Sequence, residues 1–153
     1  MKTILIFILS SIFYQLFAPP APDVITKEQS IEFRSLTQPF SPELLKETIH
    51  YYTLYPEIVY AQARLETGDF TSNIFKENNN CFGMKLPKHR PTLAIGLNRH
   101  SAVYINWLDS VKDLRMWQDY YMDRGYDLNK LLSIYCPEKN YKRKVKNLML
   151  NIN

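Results

Sequence analysis

Pro56 and Gly68 enclose a segment, PEIVYAQARLETG, that has few ways to fold. Proline fixes φ and lacks an N–H, which suits the first turn of a helix; glycine takes the left-handed backbone that ends one, so the pair delimits a short helix. At about 100° of rotation per residue, Val59, Gln62, Ala63 and Glu66 share one face, while Glu57 and Arg64 point to water. Glu66 thus lies on the apolar side. The commoner fate of a glutamate is solvation, but here burial and the negative end of the helix dipole would both raise its pKa. A general acid that must hold a proton near neutral pH needs that environment.

The flanking segments continue the helical pattern. Ser41 and Pro42 form an N-cap and first position for SPELLKETIHYYTL, whose Leu44, Leu45, Ile49 and Tyr52 make an apolar stripe. TSNIFKENNN reads as a helical turn ended by asparagines, which tolerate left-handed backbone. From Phe82 to Ile105 proline, glycine and β-branched residues take over, predicting short strands at 82–86, 93–97 and 101–105. Helix returns in NWLDSVKDLRMWQDYYMDRG, with Asn106 as cap, Asp109 in the first turn and Gly125 at the end, and two more helices are expected at 128–135 and 141–150. The fold class is therefore α+β, mostly helical, with a small β lobe.

At the amino terminus, Lys2 precedes an apolar run from Ile4 to Phe17 that is broken by Ser10, Ser11 and Gln15. It falls short of the roughly 20 residues of a membrane span and reads as a signal peptide over residues 1–18. Pro19 and Pro20 after Ala18 leave an uncleaved anchor as the alternative; otherwise no stable membrane insertion is expected. The reading gives an exported chain, periplasmic, envelope-bound or extracellular, with a leader or linker at 19–40 and a domain at 41–153. The net charge of +4 is scattered apart from NYKRKVKN at 140–147, a solvated face that argues against nucleic acid as partner and suits an anionic polymer such as a cell wall. Cys81 and Cys136 are free to pair in an oxidising compartment but sit among apolar neighbours as small core residues would, and His50, His89 and His100 lack metal-ligand spacing, so no metal or cofactor is implied. Nothing in the pattern sets an oligomeric state.

The stretch AQARLETGDFTSNIFKENNNCFGMK resembles the glucosaminidase domain of bacterial peptidoglycan hydrolases, glycoside hydrolase family 73 of the lysozyme-like superfamily. That family reads alanine, glutamine, a few residues, glutamate, threonine or serine, glycine, then paired asparagines followed by phenylalanine and glycine. VYINWLDSVKDLRMW and YCPEKNYKRKV are similar to its later segments, and the resemblance spans about residues 43 to 150. It implies a lysozyme-like domain with a small β-hairpin lobe, an endo-β-N-acetylglucosaminidase activity on peptidoglycan glycan strands, and Glu66 as the catalytic acid. It also implies that Asn79, Asn80, Phe82 and Gly83 shape the cleft floor and that Tyr104 and Tyr141 lie beside the sugar. These types suit the task, since amides bond sugar hydroxyls and acetamido groups and tyrosine offers a flat face with a polar tip. Each also has a plainer reading: Phe82 as core, either tyrosine as packing, Gly83 as a backbone site.

Many family members carry a second glutamate in the β lobe, whereas this chain has no acid between Glu77 and Asp109. The lobe instead holds Lys85, Lys88, Arg90 and Arg99 with His89 and His100, a solvated hairpin or an attraction for carboxylates of peptide stems. The 2-acetamido group of the substrate can supply the missing nucleophile; Asp109, the next acid along the chain, is the competing second acid, although a first-turn aspartate more often serves the helix dipole. A muramidase or lytic transglycosylase of the same fold, and a catalytically silent wall-binding domain, stay open as alternative functions.

Overall fold

A computed structural model describes residues 25–150, so the expected signal peptide lies outside the described residues. Seven helices occur among them: α1 (Lys27–Thr37), α2 (Pro42–Tyr52), α3 (Pro56–Thr67), α4 (Asn73–Asn78), α5 (Trp107–Met122), α6 (Leu128–Tyr135) and α7 (Tyr141–Leu150). Strands β1 (Gly96–Asn98) and β2 (Ser101–Val103) form an antiparallel hairpin between α4 and α5. The mostly helical α+β, lysozyme-like expectation is met. Helix starts follow local chemistry: the side chains of Ser41, Asn106 and Asp127 each accept the backbone N–H three residues on. Gly68 ends α3 at φ +56°. No described helix is long and apolar enough to cross a membrane.

The central element is α3, which is buried on two sides. Val59 and Ala63 join the main core of Leu45, Ile49, Phe75, Phe82, Val111 and Leu114, while Ala61 faces a second core of Leu132, Tyr141 and Val145 from α6 and α7. Alanines at 61 and 63, both fully buried, let α7 and the main core approach the helix backbone closely. The ends of α3 escape this enclosure, and Glu66 stands in the last turn at the carboxyl end.

Two expectations need correction. The segment expected as a linker contains α1, which is tied down by the fully buried Ile31, a buried hydroxyl pair between Ser35 and Thr48 at 3.4 Å, and an Arg34–Glu47 ion pair at 2.8 Å. Burying one isoleucine contributes roughly 1.5–3 kcal/mol, enough to fix a capped helix that also bonds Lys112 and Tyr52 through Glu32. The β lobe has two strands instead of three. Residues 82–86 meet β2 through a single backbone bond from Ala102 to Met84 (2.8 Å), because Gly83 turns at φ +61° and Pro87 has no N–H to continue a ladder. The hairpin turns through Arg99 and His100, both left-handed, as a two-residue connection of this twist requires.

One buried ion pair does much to hold this loose segment to the helices. Arg90 makes two parallel bonds to Asp113 of α5, at 2.9 and 3.1 Å, with side chains only 3% and 0% exposed. Tyr104 donates to the same carboxylate at 2.7 Å and the Leu93 N–H at 3.2 Å. Burial alone would raise the Asp113 pKa; the bonds from Arg90 and Tyr104 outweigh it and hold the carboxyl below its ordinary value of 3.8. Asp113→Ala leaves a buried guanidinium unpaired and is expected to cost about 3–5 kcal/mol in urea unfolding at pH 7. A carboxylate with a lowered folded pKa stabilises above its unfolded value, so the gap between wild type and variant should narrow as the pH falls below 3.8.

Candidate active site

A cleft of about 740 Å³ opens at the carboxyl end of α3 between the 82–90 segment and the helices α5 and α6. Glu66 is half-buried in it, and its Oε1 accepts the Tyr141 hydroxyl at 2.8 Å. Tyr141 in turn accepts the Gln62 amide at 3.2 Å, so one turn of α3 and the start of α7 hold the carboxyl from behind. Burial raises the Glu66 pKa above the ordinary 4.5, and the Tyr141 hydroxyl partly opposes this by stabilising the charged form. On the other side, a Cβ at Gly83 would stand 3.1 Å from Glu66 Oε2. The position needs glycine both for that approach and for its positive φ.

Tyr135 ties these parts together. Its hydroxyl donates to the Phe82 carbonyl, and its ring stacks on Tyr141 with centroids 5.9 Å apart at 27°. The turn at Phe82–Gly83 and the acid's tyrosine are therefore braced by one side chain. Beyond them lies an aromatic wall of Trp117, Tyr120, Tyr121 and Tyr126, with Tyr121 and Tyr126 stacked at 5.4 Å and 21°. Flat apolar faces with polar tips are the surfaces on which sugar rings pack. Glu66 is the only acid among the lining residues, which also include Lys85, Lys88, His89 and Arg124.

The sequence-derived candidates divide. Glu66, Phe82 and Gly83 line the cleft, and Tyr141 contacts the acid. Phe82 does so through its edge of the turn, its side chain being 1% exposed in the core. Asn80, Asn79 and Tyr104 are placed elsewhere. The Asn80 amide donates to Met84 and Ala102 carbonyls and its oxygen accepts Phe82 and Met84 N–H groups, leaving nothing for a sugar. Asn79 donates to the carbonyls of Tyr104 and Ile105, and the Tyr104 hydroxyl is taken by Asp113. These asparagines clip the lobe to the helices instead of reaching a ligand. Asp109 is not among the cleft-lining residues; it stands in the first turn of α5, where Asn106 caps its N–H at 2.9 Å. Arg90, read as solvated, is the buried partner of Asp113.

Sequence reasoning missed Trp117, Tyr120, Tyr121, Tyr126 and Tyr135. The signal for three of them was present: spacings of three and one along α5 put Trp117, Tyr120 and Tyr121 on one side of the helix. Cys81 is buried with its thiol pushed up to about 12, and Cys136 lines the cleft; both are free.

Two measurements follow from this environment. A glutamate with a raised folded pKa binds its proton more tightly folded than unfolded, so wild-type stability falls as the pH rises through 4.5 toward the folded value. Glu66→Gln removes that loss, and its thermal midpoint should match wild type below pH 4.5 and equal or exceed it above. Tyr141→Phe deletes the bond that favours the carboxylate, so carboxyl-carbon NMR should find the Glu66 pKa moved further up; a downward move would show that the hydroxyl serves the neutral acid.

Comparison with family models matches residues 43–153 to the glucosaminidase family, described as mannosyl-glycoprotein endo-beta-N-acetylglucosaminidase. Comparison with curated proteins gives no match, and neither does comparison with solved structures. The matched region runs from α2 through α7 and contains the whole cleft. The chain thus belongs to the glucosaminidase family and is a glycoside hydrolase of the endo-β-N-acetylglucosaminidase type.

Proposed function

We propose that the chain is an exported hydrolase that cuts the glycan strand of peptidoglycan after N-acetylglucosamine, with Glu66 as general acid and the substrate's own acetamido group as nucleophile. The observation that carries this reading is that Glu66 is the only acid among the cleft-lining residues. A retaining enzyme with a protein nucleophile needs a second carboxylate at about 5–5.5 Å and an inverting one a base at about 6.5–9.5 Å. The rest of the cleft wall is made of cations, aromatic rings and apolar groups. With the acetamido oxygen attacking the anomeric carbon, the glycosidic C–O bond breaks, and Glu66 delivers its proton to the leaving oxygen. Water then opens the cyclic intermediate, giving its proton to the Glu66 carboxylate, so the acid is restored.

Asn80 and Tyr104 are excluded as polarising groups, because their donors are bound inside the fold. Tyr141 donates to Glu66 itself. The hydroxyls of Tyr121 and Tyr126 are left for the sugar and its acetamide. Export rests on the amino-terminal apolar run, and the basic cleft favours a carboxylated polymer over a neutral one.

The test is digestion of purified sacculi with analysis of fresh product. Reducing-end N-acetylglucosamine, appearing first as the β anomer by proton NMR, is expected. Glu66→Gln should abolish turnover and Asp109→Asn should keep most of it. Muramic-acid ends would make the protein a muramidase or transglycosylase, an α anomer first would require a water-activating base, and binding without turnover would make it a wall-binding domain.

A further inference from the structure

The cleft carries more positive charge than its reaction needs. Lys85 and Lys88 project from the 82–90 wall, both exposed, and Arg124 follows the end of α5, its guanidinium lying 3.5 Å above the Tyr120 ring and donating to the Tyr120 carbonyl. Four of the acids are paired with other cations: Glu77 with Arg99, Asp113 with Arg90, Asp119 with Arg115 and Glu138 with Lys144. Among the described residues, none of Lys85, Lys88 and Arg124 has an acidic partner within salt-bridge distance. Three unpaired cations around one cleft repel one another, a cost that an anionic ligand removes. In the same wall, the Nε of Arg90 is the one buried side-chain polar atom among the described residues without a hydrogen-bond partner. Arginine and lysine differ in what they offer: Arg124 is held flat by Tyr120 and presents a planar fork, while the two lysines are mobile point charges.

A neutral chain of N-acetylated sugars needs none of this, because hydroxyls and acetamides are met by tyrosine tips and aromatic faces. Carboxylates beside the glycan do. We infer that Lys85, Lys88 and Arg124 form a binding site for the carboxylates of the peptide stems, so that the enzyme selects stem-bearing, charged strands over uncharged ones. This deepens the peptidoglycan reading and rests on it. The lysines stand on the segment that also carries Gly83, so a stem held there fixes the sugar's position relative to Glu66. The stem charge thereby contributes to orientation as well as affinity.

The experiment compares native glycan strands with the same strands whose stem carboxylates have been converted to amides, which keeps shape and removes charge. For wild type, amidation should lower kcat/KM about tenfold, and raising salt should erode that preference as screening strengthens. In the Lys85→Gln/Lys88→Gln variant the preference should shrink to less than twofold, with Arg124→Gln reducing it further. Both lysines are exposed, so circular dichroism should show an unchanged fold. Equal turnover of native and amidated strands by wild type, or a preference that survives in the variants, would overturn the inference while leaving the glucosaminidase reading intact. Absence of N-acetylglucosamine-ended products from either substrate would overturn that reading and the inference with it.

Discussion

The carboxylate of Asp113 organises this molecule. The 82–105 segment has little regular structure of its own: its ladder is the β1–β2 hairpin, three residues in each strand, and its prolines and left-handed turns leave the rest irregular. One fully buried acid on α5 collects it from three points: the Arg90 guanidinium, the Tyr104 hydroxyl and the Leu93 N–H. An unpaired buried charge is so unfavourable that these groups must converge or the domain opens. The width of the cleft is thus set by a contact that touches no substrate. The pair also neutralises Arg90, so that the wall's net charge comes from the exposed lysines.

The second constraint is the enclosure of α3. A helix packed on two sides presents only its ends to solvent, and the last turn is the place where a carboxyl can be sheltered from water yet still face a ligand. The surrounding groups tune it by small means. Gly83 gives room without a side chain, Tyr141 gives one hydrogen bond, and Tyr135 holds both in place without touching the acid's oxygens. Burial outweighs the single bond, so the carboxyl keeps its proton to higher pH than a solvated glutamate would.

Most helices were legible because their signals are local: Ser41–Pro42, Pro56 with Gly68, and Asn106 speak through caps and fixed dihedrals a few residues away. Glu66 was legible because a helical period converts position into face. α1 was missed although Thr26 and Gln29 spell a capping box, which the structure forms. The asparagines were assigned to sugar because an amide's type does not say whether its partner is a carbonyl of the chain or a hydroxyl of a ligand. Only the fold decides, and it gives Asn80 four internal bonds. The Arg90–Asp113 pair joins residues 23 apart across irregular backbone, beyond the reach of any periodicity.

The two tryptophans of the chain occupy very different surroundings. Trp107 is 6% exposed in the main core, edge-on to Phe40 at 5.8 Å. Trp117 is half-buried in the cleft wall, edge-on to Tyr135 at 5.4 Å. Their indoles therefore form two intrinsic fluorophores with separate duties: the first reports loss of the packed interior, and the second reports what enters the cleft beside the acid's bracing tyrosine. Collisional quenching by a small solute should reach Trp117 and spare Trp107 in the native state, so the protein carries its own optical distinction between occupancy and unfolding.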